Sequence, residues 1–358
     1  MSRPALTVIT TPVIPAARRA YVRVRGIGRR ILKPATPGLS GSRYPGHYAV
    51  TRSVVEGLRA IGADFNFNPT SFSQLARTVY APANEALLQA AALKRRGDID
   101  FLVAGPVNAF FADECNGIMQ LPEIDLAIVA SEWMIDFYRD VPSLARKTRA
   151  VPCGVDAEFW KPAGARKERA AAIYWKSGDE RFCEQVEAIV RRSGLEPLRV
   201  RSRHGEHTIF TPDELRAQFD RAILSVFLST FESQGIALAE AWSMNLPTVV
   251  WDPRGDAEWR GRHFTSASSA PYLTAATGIA TRDVAGLENA IAQALATLDT
   301  FHPREWVLGN MTDAVCSRKL YELILEEAGG AAIRTLSGTR SSAPEGAGGA
   351  RGSGGGGG

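Results

Sequence analysis

The sequence has few cysteines and no long apolar run. Its 358 residues include four cysteines, which are widely spaced, form no Cys-x-x-Cys pair and have no nearby histidine that could complete a zinc site. We interpret them as reduced structural thiols. No stretch approaches the roughly 20 consecutive apolar residues of a membrane-spanning helix, and the first residues lack the apolar core of a signal peptide. The composition therefore predicts a globular protein of the cytoplasm.

Acidic residues are also absent from one segment, Arg18 to Lys33. Its basic residues are interleaved with apolar ones such as Tyr21 and Leu32, as in segments that lie on a membrane surface. A solvated basic loop and peripheral contact with an anionic membrane both fit this pattern. No nucleic-acid partner is expected, because one short basic tract without a recognition motif is a weak footprint.

Short apolar runs alternate with amphipathic segments along the chain, which predicts parallel sheets covered by helices. The length favours two domains. We place an N-terminal Rossmann-like domain at 1–153, a second one at 154–328, whose last helix could pack back on the N-terminal domain, and a disordered Gly-rich tail at 329–358. The predicted strands are 6–13, 65–67, 100–104, 126–130, 171–175, 198–202, 222–228, 248–251 and 277–281. The predicted helices are 46–61, 84–96, 132–140, 179–192, one from 211, one from 235, and 287–298.

One strand, loop and helix in the second half suit a phosphate ligand. Strand 222–228 leads through a polar loop into the helix that starts near Gly235, whose N-terminal amides could receive a diphosphate. Glu240 lies roughly 7 to 8 Å further along this helix, where a carboxylate could accept hydrogen bonds from ribose hydroxyls. Glu232 lies in the loop, on the side where a sugar would be. Ser233 and Gln234 complete the predicted donor-binding residues.

Two motifs in this half resemble those of the retaining GT-B glycosyltransferases of glycosyltransferase family 4, the group 1 enzymes. The first motif consists of Glu232, Gly235-Ile236, Glu240-Ala241 and Pro247. The second, which opens the donor domain in that family, runs here from Pro152 through Gly154-Val155-Asp156 to Pro162. Their order and interval match the family, and the resemblance is clear over residues 125–330.

The resemblance implies a GT-B fold, with two facing Rossmann-like domains and a cleft between them. It implies transfer of a sugar from a nucleoside-diphosphate sugar to an acceptor hydroxyl with retention at the anomeric carbon, without a resident cofactor or metal. Glu232 would hold sugar hydroxyls, Glu240 the ribose, and the amides of Gly235 and Ile236 the diphosphate. Lys176 would stabilise charge on the leaving group, and together with Glu232 it is the predicted catalytic pair.

The first half offers weaker motifs. By the same resemblance, its Gly-rich loop would face the distal phosphate of the donor or acceptor through Gly41, Gly46 and His47. Ala171 stands where the family usually has an arginine, and no histidine occupies the family's acceptor-side position. The acceptor could be a glycan, a lipid-linked molecule or a small molecule. A GT-B nucleotide-sugar epimerase and a non-catalytic protein that binds nucleotide sugars or a membrane surface remain alternatives.

Overall fold

The computed structural model describes residues 3–14, 47–106, 110–164, 167–201, 211–254 and 257–340, with backbone alone at 47, 48, 257, 259 and 332–340. Two parallel sheets organise these residues. The predicted boundary between residues 153 and 154 falls between them. None of the helices found in the described ranges has the length and apolar character needed to cross a bilayer.

The N-terminal sheet has the strand order β2-β1-β3-β4-β5-β6, and all its pairings are parallel. Its central strands are apolar throughout, because helices cover both faces of the sheet and leave neither in water. The strands are β1 Leu6–Val8, β2 Phe65–Phe67, β3 Thr78–Ala81, β4 Phe101–Ala104, β5 Leu126–Val129 and β6 Thr148–Ala150.

The C-terminal sheet has the order β13-β10-β9-β7-β8 and is also parallel. Clusters of buried side chains fill both of its faces. Its strands are β7 Ala170–Trp175, β8 Glu196–Arg201, β9 Leu224–Leu228, β10 Thr248–Trp251 and β13 Gly278–Thr281. A separate antiparallel hairpin is formed by β11 Ala257–Trp259 and β12 Arg262–Phe264.

Helices form most of the connections between successive strands of each sheet, as is usual for parallel strands. A 3₁₀ turn lies between β2 and β3, and the hairpin lies between β10 and β13. The helices are α1 His47–Ala60, α2 Asn84–Arg95, α3 Glu114–Gly117, α4 Glu132–Arg139, α5 Glu180–Arg192, α6 Pro212–Arg221, α7 Ile236–Ser243, α8 Gly286–Ala296, α9 Pro303–Asn310 and α10 Asp313–Arg340. Short 3₁₀ turns lie at Phe72–Gln74, Ile118–Gln120 and Leu298–Thr300. The expected capping box at the start of α6 is present, because the Thr211 side chain and Glu214 satisfy each other's backbone amides.

The last helix, α10, returns from the C-terminal sheet to the N-terminal one. Its Leu320 and Ile324 are buried in the cluster between α1 and the N-terminal sheet. The carboxylate of Asp313 at the start of α10 accepts hydrogen bonds from the Arg52 guanidinium on α1, one of them at 3.1 Å. A Cβ atom on Gly154 would lie 2.4 Å from the Asp313 backbone, so this motif glycine permits the close approach.

Several elements differ from the sequence prediction. Strands β3 and β6, the hairpin and the helices α3 and α9 were not predicted, because short segments carry little periodicity. The first strand ends at Val8 rather than at residue 13. The helix α10 continues to Arg340, past the predicted start of the tail at 329. Ala328 and Ala331 pack on the core there, which offsets the low helix propensity of Gly329 and Gly330. Residues 341–358 of the predicted tail lie outside the described ranges.

Candidate active site

Two predicted site residues meet at the carboxyl edge of the C-terminal sheet. Lys176 directly follows β7, and Glu232 lies in the loop after the neighbouring strand β9. The Lys176 Nζ atom is 2.7 Å from each carboxylate oxygen of Glu232. The two side chains are 17% and 8% exposed. Residues that are distant in the sequence therefore form one shielded ion pair.

The main chain of Glu232 is fixed from two sides. Its N–H donates to the carbonyl of Ser268 at 2.9 Å. Its carbonyl accepts a hydrogen bond from the indole Nε1 of Trp133 at 3.0 Å. Because Trp133 belongs to α4 beside the N-terminal sheet, both halves of the chain hold this residue.

A buried carboxylate supports the segment that contacts Glu232. Asp252 directly follows β10 and is 2% exposed. It accepts hydrogen bonds from the Ser269 N–H at 3.0 Å, the Ser268 hydroxyl at 3.2 Å and the Arg254 guanidinium at 2.9 Å. These bonds satisfy a carboxylate that would be costly to bury alone. Asp252 thereby fixes the Ser268–Ser269 backbone against the Glu232 loop.

The helix α7 starts beside this ion pair. Gly235 precedes it with φ 80°, in the left-handed region, and a Cβ atom there would lie 2.9 Å from Leu238 Cδ1. The N–H groups of Leu238 and Ala239 donate to the Gly235 carbonyl. Within the described ranges no acceptor is bonded to the amides of Ile236 and Ala237. A helix start of this kind is a favourable site for an anion.

Glu240 lies on α7 and is half-buried. No side chain of the described part of the protein donates a hydrogen bond to its carboxylate. Removal from water raises the pKa of Glu240 to about 8, while the positive charge of Arg52 acts in the opposite direction. The Arg52 guanidinium itself is bonded to Asp313 and Glu56. The Glu240 carboxylate thus retains its capacity to accept hydrogen bonds from a ligand.

Gln234 and Ser233 are the other two predicted donor-binding residues of this loop. Both polar atoms of the Gln234 amide are engaged by the main chain of Cys153: Oε1 accepts from its N–H at 2.9 Å, and Nε2 donates to its carbonyl at 2.8 Å. Gln234 therefore connects the two motifs found in the sequence. Ser233 lies half-buried between Glu232 and Gln234. Its predicted contact with the donor remains a prediction.

The predicted phosphate loop of the N-terminal half is largely outside the described residues. This applies to Gly41 and Gly46, and to the basic segment Arg18 to Lys33. His47 is the first residue of α1, but its side chain also lies outside the description. The acceptor side of the site therefore has no assigned catalytic residue.

An aromatic cluster lies between the two sheets beside Glu232. It consists of Phe110, Phe111, Trp133 and Phe137 from the N-terminal half and of Phe231 and Phe264 from the C-terminal half. Phe264 belongs to the hairpin, and its ring centroid lies 5.9 Å from that of Trp133. At the rim of the cluster the hairpin forms ion pairs, Arg260 with Glu114 and Arg262 with Asp113. The pair with Arg262 lowers the pKa of Asp113.

Sequence reasoning did not identify Trp133, Asp252 or Ser268. The sequence carries a signal for two of these residues, namely their position after a buried strand. Asp252 and the Ser131–Trp133 segment come directly after buried strands, and the carboxyl ends of parallel strands are where ligand sites form. Ser268 carries no such signal, because it lies in an irregular segment that only the tertiary structure brings to Glu232.

No protein family model matches the chain. No curated protein resembles it in sequence at a significant level. Solved structures do share its fold. The catalytic domain of starch synthase IV from Arabidopsis thaliana, bound to ADP and acarbose, aligns with a TM-score of 0.52 at 9% identity, over 81% of this chain and 79% of that chain. Anabaena HepE, in complex with UDP and glucose, aligns with a TM-score of 0.51 at 12% identity, over 90% of this chain and 99% of that one.

These likenesses establish the architecture. Two Rossmann-like parallel sheets with alternating helices, arranged as in those enzymes, define the GT-B fold. The fold prediction from sequence is confirmed. At 9% and 12% identity the likeness extends to the fold alone, and the roles of individual residues rest on the geometry of this site.

Proposed function

We propose that this protein transfers a sugar from a nucleoside-diphosphate sugar to an acceptor hydroxyl, with retention of anomeric configuration. The observation that carries the proposal is the shielded pair of Lys176 and Glu232 beside the start of α7. A cation, a carboxylate and unbonded helix amides at one edge of the sheet suit a ligand that combines a diphosphate with a sugar. Both solved structures named above hold a nucleoside diphosphate, which supports this ligand class.

Each residue has a distinct part in this mechanism. The amides of Ile236 and Ala237 receive the diphosphate, and Lys176 moves from Glu232 to the leaving oxygen as negative charge develops there. Glu232, released from part of its ion pair, accepts hydrogen bonds from sugar hydroxyls and orients the ring. Glu240 accepts hydrogen bonds from the ribose. The aromatic cluster beside Glu232 excludes water from one side of the site.

The proposal needs no resident cofactor and no metal, because Lys176 and the helix amides supply the positive charge for the diphosphate. The acceptor class, a glycan, a lipid-linked molecule or a small molecule, stays a proposal. So do a cytoplasmic location and a peripheral contact of the segment Arg18 to Lys33 with an anionic membrane.

The first experiment identifies the donor. Melting temperatures are measured with UDP-, GDP- and ADP-sugars, because a ligand at 100 times its Kd stabilises the folded state by about 2.7 kcal/mol. Transfer is then followed by release of the free nucleoside diphosphate in the presence of an acceptor panel. Release distinguishes a transferase from an epimerase, which interconverts nucleotide sugars without releasing the diphosphate.

Single variants then test the ion pair. Lys176→Ala and Glu232→Gln are each expected to lower kcat by about 100-fold or more, since each removes a charge from the reacting centre. Lys94→Ala is the matched control, because Lys94 pairs with Asp125 at comparable burial in the N-terminal half. That variant should keep wild-type turnover. Turnover near the wild-type value in both site variants would contradict the proposal.

A further inference from the structure

One hydrogen bond reaches the proposed sugar-binding residue from the N-terminal half. The indole N–H of Trp133 donates to the main-chain carbonyl of Glu232 at 3.0 Å, and Trp133 is 7% exposed. Trp133 lies in the first turn of α4, directly after strand β5. The bond therefore crosses between the two sheets at the residue whose carboxylate is paired with Lys176.

The other described groups that bond to Glu232 belong to the C-terminal half. Its N–H is held by Ser268, and its carboxylate by Lys176. The preceding residue, Phe231, places its ring in the aromatic cluster, 6.3 Å from the ring centroid of Trp133. Trp133 thus packs against the side chain of one residue of this loop and bonds to the main chain of the next.

We propose that Trp133 is a positioning residue, through which the N-terminal half sets the orientation of Glu232 for sugar transfer. This inference rests on the proposed function, since Glu232 has a role in transfer only there. Its physical basis is that the bond helps to fix the backbone of Glu232: a shift of this backbone would move the Cα–Cβ bond and with it the carboxylate. Catalytic geometry tolerates displacements of about 0.5 Å, and a shift of about 1 Å costs roughly 100-fold in rate.

The variant Trp133→Phe tests this bond most directly. It keeps an aromatic ring in the cluster and removes the N–H donor. Tyr272→Phe is the matched control, because the Tyr272 hydroxyl also donates across the halves, but to the Ala130 carbonyl at 2.7 Å rather than to Glu232. Trp133→His is the rescue variant, since its Nε2 lies two bonds from Cγ, as the indole Nε1 does, and provides a ring N–H.

Kinetics are measured well below the melting temperature of every variant. We expect Trp133→Phe to lower kcat by about 10- to 100-fold and to change the KM for the donor by less than about threefold. Tyr272→Phe should keep kcat within about threefold of the wild type. Trp133→His should exceed the kcat of Trp133→Phe.

Two results would overturn the inference: a Trp133→Phe enzyme that matches Tyr272→Phe in kcat, or a histidine variant no faster than the phenylalanine one. Melting temperatures are measured for all variants, so that a lower kcat is attributed to the substitution only where the variant is folded at the assay temperature. A wild-type protein that releases no diphosphate from any donor would instead disprove the proposed function. The two failures are therefore distinguishable.

Discussion

The two halves of the molecule build their sides of the cleft in different ways. In the C-terminal half, the segment Phe231 to Glu240 carries the loop, the helix start and both glutamates within ten residues. In the N-terminal half, the groups that reach this segment include Phe110, Trp133 on α4, Cys153 and, through its charge, Arg52 on α1, and they lie far apart in the chain. A contiguous segment can be recognised from its sequence pattern. Scattered groups are brought together only by packing, and the following substitutions test this contrast.

Replacing Phe264 with alanine tests the packing side and should have the largest effect on stability. The ring is 6% exposed and lies 5.0 Å from the Phe137 centroid and 5.3 Å from that of Phe231. Deleting a buried aromatic ring lowers the free energy of unfolding by about 3 to 5 kcal/mol, because buried apolar surface is lost and a cavity is left behind. Urea unfolding measures the loss. Arg262→Ala, at the exposed rim of the same hairpin, should leave the urea midpoint nearly unchanged, so equal losses in the two variants would contradict the importance of the cluster.

Replacing Gly235 with alanine tests the contiguous segment. Its φ of 80° is strained for alanine, and the new Cβ would press on Leu238, so a loss of about 1 to 2 kcal/mol is expected. The control is Gly194→Ala, which also has a positive φ, 74°, but lies after α5, away from the site. Both variants should be destabilised. Only Gly235→Ala should weaken donor binding, by about 10-fold, in calorimetric titrations.

Loss of donor binding in both glycine variants would indicate that general destabilisation, rather than the helix start, controls affinity. Wild-type affinity for the donor in Gly235→Ala would contradict the proposal that the amides of α7 bind the diphosphate.

Replacing Glu240 with glutamine tests the ribose contact and should have the smallest effect on stability. The pKa of Glu240 is about 8 in the folded protein, against an ordinary value of 4.5. Because the folded state holds the proton more tightly, stability falls as the pH rises from about 4.5 to about 8. The Gln variant lacks this fall and should be more stable by about 1 kcal/mol at pH 8, since water partly screens the half-buried carboxylate.

The same variant should bind the donor about 10-fold more weakly at pH 8, because a charged acceptor is lost. Thermal melts between pH 4.5 and 8, with and without donor, measure both changes. An unaltered pH profile of stability would mean that Glu240 is solvated in the folded state.

Much of the fold could be predicted from local pattern. The strands Phe65–Phe67 and Thr248–Trp251 were predicted at their observed bounds, because turn residues delimit both segments. Strand β3 was not predicted, since Ala76 and Arg77 before it give no turn signal, and pairing with β1 and β4 stabilises it. The packing of α10 on the N-terminal sheet depends on burial of Leu320 and Ile324.

Of the predicted donor-site residues, the structure brings Lys176 and Glu232 into contact, and it places Gly235 at the helix start. It engages Gln234 with Cys153 instead of leaving its amide free. Their roles in binding and catalysis stay predictions.

The sequence by itself determined that the chain forms parallel α/β sheets and that the segment around Gly235 has a loop, a helix start and two carboxylates at fixed spacing. These properties follow from neighbouring residues, whose separations are set by strand and helix geometry. Only the tertiary structure decided that Lys176 pairs with Glu232, that Asp252 supports the loop through Ser268, and that Trp133 bonds to Glu232 across the halves. Those contacts join distant parts of the chain, and they form because the packing of buried side chains aligns the two sheets.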